Sequence, residues 1–218
     1  MVNTLPAGVL WLALAAGGDQ DPQPGRGLIE GTAGVSVQPA SSETYHRVSP
    51  NLSGQAFSIS LQAGGFLSKS LALEGELAFA SPISVAQRFS YNWTEDYIAE
   101  NRDILLNELV RWKPGGASRL EFLAGGGVAV VRARKLSHTI SYPFTPLRPT
   151  TRIPDQSLRK YRVTLTGGVD VAVPVSRRLA FVPTLRLRWI DRPDPAIEEW
   201  NGVSAFTFQI GAGFRARF

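Results

Sequence analysis

Residues 206–218 read Phe-Thr-Phe-Gln-Ile-Gly-Ala-Gly-Phe-Arg-Ala-Arg-Phe, with an apolar residue at every even position. Thr207, Gln209, Gly211, Gly213, Arg215 and Arg217 fill the odd ones. Successive side chains of a strand point to opposite faces, so this segment has one oily face and one polar or bare face. The oily face needs cover, either a second protein layer in water or the hydrocarbon of a bilayer. A tilted strand crosses a bilayer in roughly 9–11 residues, and this one is long enough.

Six further segments alternate in the same way: 28–37, 55–66, 70–80, 119–133, 158–173 and 178–191. A seventh, 103–113, has no clean phase, because facing Asn107 and Arg111 inward turns Glu108 toward the oily side. Pro183 stands inside 178–191, where it cannot donate a ladder hydrogen bond, and predicts a bulge. The connectors alternate in length. Tight turns follow the second, fourth and sixth segments, at 67–69, 114–117 and 174–177. Long connections, about 38–54, 81–102, 134–157 and 192–203, follow the others. An up-and-down membrane barrel sorts its connections in this way, with short turns at one end and long loops at the other. A soluble sandwich has no such reason. The expected fold is therefore all-β: a closed antiparallel up-and-down eight-stranded transmembrane β-barrel, with short periplasmic turns and long extracellular loops.

Composition excludes several alternatives. The longest apolar run, 9–16, is far short of the roughly 20 residues of a membrane helix. The chain has no cysteine, so it has neither a disulfide framework nor a thiolate metal site. A net charge of +5 raises nucleic-acid binding. The Lys and Arg residues are scattered and form no basic stripe, so no nucleic-acid partner is expected. Residues 1–27 read as an export-signal-like segment and flexible lead-in. Ala13-Leu-Ala15 has the form of a signal-peptidase site, although no Lys or Arg precedes it. The barrel domain is then 28–218.

The polar phase of the strands collects Glu30, Glu74, Glu76, Glu121, Arg162, Asp170, Arg186, Arg188, Arg215 and Arg217, with Arg111 joining them. An eight-stranded barrel is just wide enough inside for side chains to fill it. Charges enclosed there must pair or reach water. An ionic lumen network is the expected outcome, with Glu30 near Arg215 or Arg217 and Arg111 near Glu121. Glu74 and Glu76 read as members of that network rather than as a catalytic carboxylate pair.

Other chemistry finds little support. His46 and His138 are the two histidines, and both fall in or beside long connections. Ser137 adjoins His138, but neighbours on an extended chain point apart, and no G-x-S-x-G elbow is present. Asp191, Asp194, Glu198 and Glu199 match no calcium-loop spacing. Gly125-Gly126-Gly127 sits within a strand and suits close packing better than phosphate binding. No catalytic, cofactor or metal site is expected, and the chain reads as no enzyme. Arg134, Lys135, Arg148 and Arg152 surround the third long connection, where they could meet the phosphates of lipopolysaccharide.

With its strand count, alternating connectors and ending, 28–218 resembles the bacterial outer-membrane β-barrels of the eight-stranded OmpA/OmpX-like type. The resemblance implies residence in the bacterial outer membrane and a monomer in contact with membrane lipids including lipopolysaccharide. It also implies recognition by the barrel-assembly machinery through the last strand. Phe208, Ile210, Phe214 and Phe218 match that signal, and Ala216 departs from it, since the position is frequently aromatic. A structural or surface-interaction role comes first. The alternatives are a narrow porin-like channel, a lipid-modifying barrel enzyme and a soluble lipocalin-like ligand-binding barrel. The last would reverse the facing of every strand.

Overall fold

The computed structural model describes residues 24–38, 54–90, 93–115, 118–142, 150–191 and 205–218. In chain order the strands are β1 (Gly27–Gln38), β2 (Gly54–Phe66), β3 (Leu71–Ala80), β4 (Ile83–Ser90), β5 (Thr94–Trp112), β6 (Leu120–Ser141), β7 (Thr151–Arg152), β8 (Gln156–Val171), β9 (Val173–Pro174), β10 (Leu179–Ile190) and β11 (Phe206–Arg217). Each of β1, β2, β3, β5, β6, β8, β10 and β11 pairs antiparallel with the next in that order. The circle closes between the first and last, where Glu30 lies opposite Arg215 and Val35 opposite Ile210. The result is a closed eight-stranded barrel. β4 continues the third wall strand past Ser81 and Pro82 along the upper half of β5, and β9 continues β8 along β10. At one end the strands are joined by tight turns, in which Leu67 N and Val175 N donate to Leu71 O and Leu179 O, each at 2.8 Å.

The alternation decides which way each wall faces. Ile29, Phe57, Leu73, Leu106, Phe122, Leu165, Leu185 and Phe208 lie exposed on the outer wall, and Ile210 and Phe214 are 64% and 55% exposed. Glu30, Gln62, Glu74, Glu76, Glu121, Asp170, Arg186 and Arg215 are buried inside. A soluble ligand-binding barrel has the opposite arrangement, which removes the lipocalin-like alternative. The phase of the fourth wall strand is also decided. Asn107 and Arg111 are buried, and Glu108 stands on the outer wall opposite Gly75 and Gly126. Close approach explains Gly125 and Gly127, where an added Cβ would lie 1.9 Å from the carbonyl oxygens of Glu108 and Leu106.

Two expectations need correction. Much of the connection expected over 81–102 is strand, comprising β4 and the first half of β5. The connection expected over 134–157 likewise contains the last third of β6, the short β7 and the start of β8. The wall therefore rises well above its apolar part on this side. Pro183 also makes no bulge. It pairs in register with Ala212, and on its other side the pairs Phe181–Val173 and Thr184–Asp170 are three residues apart on both strands, so no residue is inserted. The missing N–H interrupts the ladder without shifting it. The sequence features at 1–23, His46, Arg148, Asp194, Glu198 and Glu199 lie outside the described residues.

Candidate functional site

The lumen is filled in layers. At the turn end Leu28, Phe66 and Ala72 form a small apolar floor. Above it lies the densest part of the molecule. Arg111, on β5, donates through Nε and Nη2 to the two oxygens of Glu74 on the neighbouring β3, with the Nη2 bond at 2.9 Å. Its Nη1 reaches Glu121 at 2.7 Å and Asp170 at 2.6 Å, and its Nη2 also reaches Gln62 at 3.1 Å and Glu30 at 3.2 Å. Arg215, on β11, donates to Glu30 at 2.7 Å and Glu121 at 2.6 Å. Arg186 forms a fork with both oxygens of Asp170. Gly168, opposite Arg186, leaves the space this side chain occupies, since a Cβ there would lie 2.6 Å from Arg186 Cδ. Arg217 stands at the edge, 3.8 Å from Glu121 and over the Phe66 ring.

A second layer lies one step higher. Arg188 donates to Glu76 at 2.8 Å and to Gln209, and Asn107 bridges Glu76 at 2.8 Å and Thr166 at 3.1 Å. Ala78, Leu105, Ala129 and Val131, with Ile190 packed against them, then form an apolar layer. Planar guanidiniums suit this work, because each supplies five donors in a fixed fork that matches carboxylate oxygens. Glu74 is held by Arg111 and Glu76 by Arg188, whereas the other three carboxylates are shared. Glu30, Glu121 and Asp170 are each shared by Arg111 and Arg215.

Arg162 does not join the network. It faces inward in register with Ala129, level with the apolar layer, and among the described residues no carboxylate pairs with it. Of the basic residues around the third long connection, Arg134 faces outward and pairs with Glu100 at 3.3 Å, and Arg152 is exposed on β7. Lys135 points inward, with its ammonium 2.8 Å from Glu95 and 4.0 Å from the centre of the Tyr97 ring, so it is turned away from any lipid. Arg148 lies outside the described residues. Phe208, Ile210, Phe214 and Phe218 all lie on the outer face of the closing strand, with the Phe218 ring over Gly27.

The sequence reading missed a cluster in the upper mouth. The pairing of β5 with β6 slips between Asp96–Thr139 and Ile98–Leu136, so that Ser137 and His138 together oppose Tyr97. Ser137 takes φ 50°, and its N–H donates to Asp155 at 3.1 Å. This bulge turns His138 inward, buried beside Tyr97 and with Nε2 2.6 Å from Glu95 Oε1, an ion-pair distance off the hydrogen-bond axis. Burial and the Lys135 ammonium hold the imidazole below its usual pKa, outweighing Glu95. Burial, reinforced by Glu95, pushes the Tyr97 phenol well above its usual value. Among the described residues no three His, Asp or Glu side chains stand together as a metal-binding group.

A closed wall with exposed hydrocarbon outside and enclosed ions inside can exist only in a bilayer. The fold is that of an eight-stranded outer-membrane β-barrel. No family model matches the sequence, and no curated relative does. Solved structures with a similar outline include Neisserial surface protein A, with 14% identity over 89% of this chain and 99% of that one and a TM-score of 0.46. The attachment invasion locus protein Ail of Yersinia pestis, in complex with the heparin analogue sucrose octasulfate, is another, at 10% identity, 87% and 98% coverage and a TM-score of 0.49. OprG of Pseudomonas aeruginosa gives 13%, 91% and 99% coverage, and 0.48. These likenesses are distant, and the assignment of the outer-membrane barrel rests on its own register and facing.

Proposed function

We propose that this barrel serves the bacterial outer membrane as a sealed structural platform, with a surface-interaction role carried by the strands and loops that rise beyond the bilayer. One observation supports this above the rest: Arg111, Arg186 and Arg215 are enclosed among Glu30, Glu74, Glu121 and Asp170, beneath an apolar layer of Ala78, Leu105, Ala129 and Val131. Side chains that fill the bore and pair with one another in this way leave little room for ions or water to file through. The tall β5–β6 wall adds a surface that bilayer crossing does not require. In this reading the barrel-assembly machinery recognises the outward aromatics of the last strand, and membrane lipids including lipopolysaccharide surround the wall.

Conductance in a planar bilayer tests the proposal. The inserted wild type gives no resolved channel steps, whereas a variant that opens the plug, Arg111→Ala with Arg215→Ala, gives them. Steady unitary steps from the wild type would replace the platform with a narrow pore.

A further inference from the structure

We propose that the outer wall carries a built site for the phosphates of a membrane lipid, formed by Arg102, Arg132 and Arg159. The three residues stand side by side on adjacent strands: Arg102 of β5 opposite Arg132 of β6, and Arg132 opposite Arg159 of β8. All three are exposed and share the outward phase of Ile104, Val130 and Tyr161 just below them. Strands are about 4.8 Å apart, so the row is about 10 Å wide and can take two phosphates, one between each adjacent pair.

The first argument is charge. Like charges directly opposite one another destabilise a sheet, and here three are placed in succession. Among the described residues no carboxylate pairs with any of them. The next outward row shows that the wall can do otherwise, since Arg134 there is answered by Glu100. A row left without an acid in the protein calls for an anion from outside it. Guanidiniums grip phosphate through forked, charge-assisted hydrogen bonds.

The second argument is height. At the turn end Trp112 lies opposite Phe122, and Phe122 opposite Val169. From each of these residues to the arginine on its own strand is ten positions. At about 3.3 Å per residue and a tilt of about 40° this is about 25 Å, the height of the apolar band of a membrane barrel. The arginines therefore meet the bilayer where hydrocarbon gives way to headgroups. Tyr161 lies beneath the row, and its ring is 5.7 Å from the Arg159 guanidinium, as suits the interface. The inference rests on the membrane reading and gives its lipid-phosphate contact three named residues.

The test compares three proteins in phosphatidylcholine nanodiscs doped with a lipid bearing two phosphate monoesters. They are the wild type, Arg102→Gln/Arg132→Gln/Arg159→Gln, and a turn-end control, Arg26→Gln/Arg177→Gln/Arg178→Gln. Doped lipid retained on extraction is counted by native mass spectrometry. The wild type and control retain it alike, and the row variant retains roughly fivefold less or lower still. Inorganic phosphate does not displace it. Equal retention by the row variant overturns the proposal, and displacement by inorganic phosphate overturns the lipid in favour of a free anion. Should the triple variant not fold, judged by loss of its heat-dependent gel shift, Arg132→Gln at the centre of the row decides by the same count. A wild type that stays soluble without detergent and enters no nanodisc sinks the membrane reading itself. An inserted wild type that shows no preference for the doped lipid sinks the arginine row alone.

Discussion

Arg111 is 1% exposed, and every nitrogen of its guanidinium faces an acceptor. Such a group is far more costly to remove than to surround, because its partners stay buried and charged once it is gone. Arg111→Met should destabilise the folded barrel by about 3–5 kcal/mol, read from urea unfolding in micelles followed by tryptophan fluorescence. Adding Glu74→Gln should restore part of that loss, since one stranded carboxylate is then neutral. A loss that stays unchanged in the double variant would mean Arg111 acts by filling space. Glu108 presents the reverse case. It stands on the outer wall between Gly75 and Gly126, among apolar neighbours that include Leu106 and Val110. Glu108→Leu should stabilise the inserted barrel by about 1 kcal/mol, in keeping with the lower cost of carboxylates than of Lys or Arg on a lipid face. His138 gives the pH dependence. Its folded pKa lies below the usual 6.5, so folding favours the neutral ring. The stability this contributes is complete above 6.5 and is lost as pH falls through 6.5 toward the lower folded value. An NMR titration of the ring should show a midpoint below 6.5, and Lys135→Gln should raise it, because that change removes one of the two causes holding it down.

The elements show where alternation informs and where it stops. Within the bilayer, period two must separate oil from ions, and 28–37 or 206–218 can be assigned a face from composition alone. Above the bilayer nothing demands an oily face. The first half of β5 is polar on both sides, with Glu95 and Asn101 facing inward and Glu100 and Arg102 outward. It therefore reads as loop, although it pairs along its whole length. The bulge was equally invisible, because the residue at φ 50° is Ser137 and not a glycine. The alternation also assigns Arg162 to the inner wall without saying that it stands level with the apolar layer and pairs with no carboxylate among the described residues. Which acid each guanidinium takes depends on the neighbours that closure brings together, and no single strand encodes that. The bulge yields an element-scale prediction. A non-glycine residue at positive φ stores backbone strain that glycine does not. Ser137→Gly should keep the fold and slow amide exchange over 95–99 and 135–139. Ser137→Val should accelerate exchange there and leave β10 and β11 unaffected. Uniform change across the barrel would mean the bulge is coupled to the whole and is not a local device for aiming His138.

For the whole molecule, closure is the property on which the rest depends. The enclosed charges are tolerable only because β1 and β11 meet, bringing Glu30 against Arg215; an open sheet would leave a free edge in hydrocarbon and the same ions without partners. The chain has no cysteine, so a disulfide can be built without competition. Ala33 and Ala212 are opposite one another across this seam, both on the outer phase. Gly27 and Phe218 exchange both backbone hydrogen bonds, and two-residue periodicity makes Ala33–Ala212 a pair of the same kind, with Cα atoms about 5.5 Å apart. That separation lies within disulfide range, and both residues are small enough that little packing is lost. Ala33→Cys/Ala212→Cys, folded in detergent and mildly oxidised, should form a crosslink within one molecule. After boiling, the unreduced protein should then migrate faster than the reduced form, because a chain tied near both ends unfolds into a tighter coil. Oxidation of the unfolded chain in urea at the same concentration should give far less of this species, since the ends are then rarely adjacent. If the folded protein yields only disulfide-linked dimers, or no crosslink, the two strands do not meet within one chain, and the ionic plug has no closed wall to hold it.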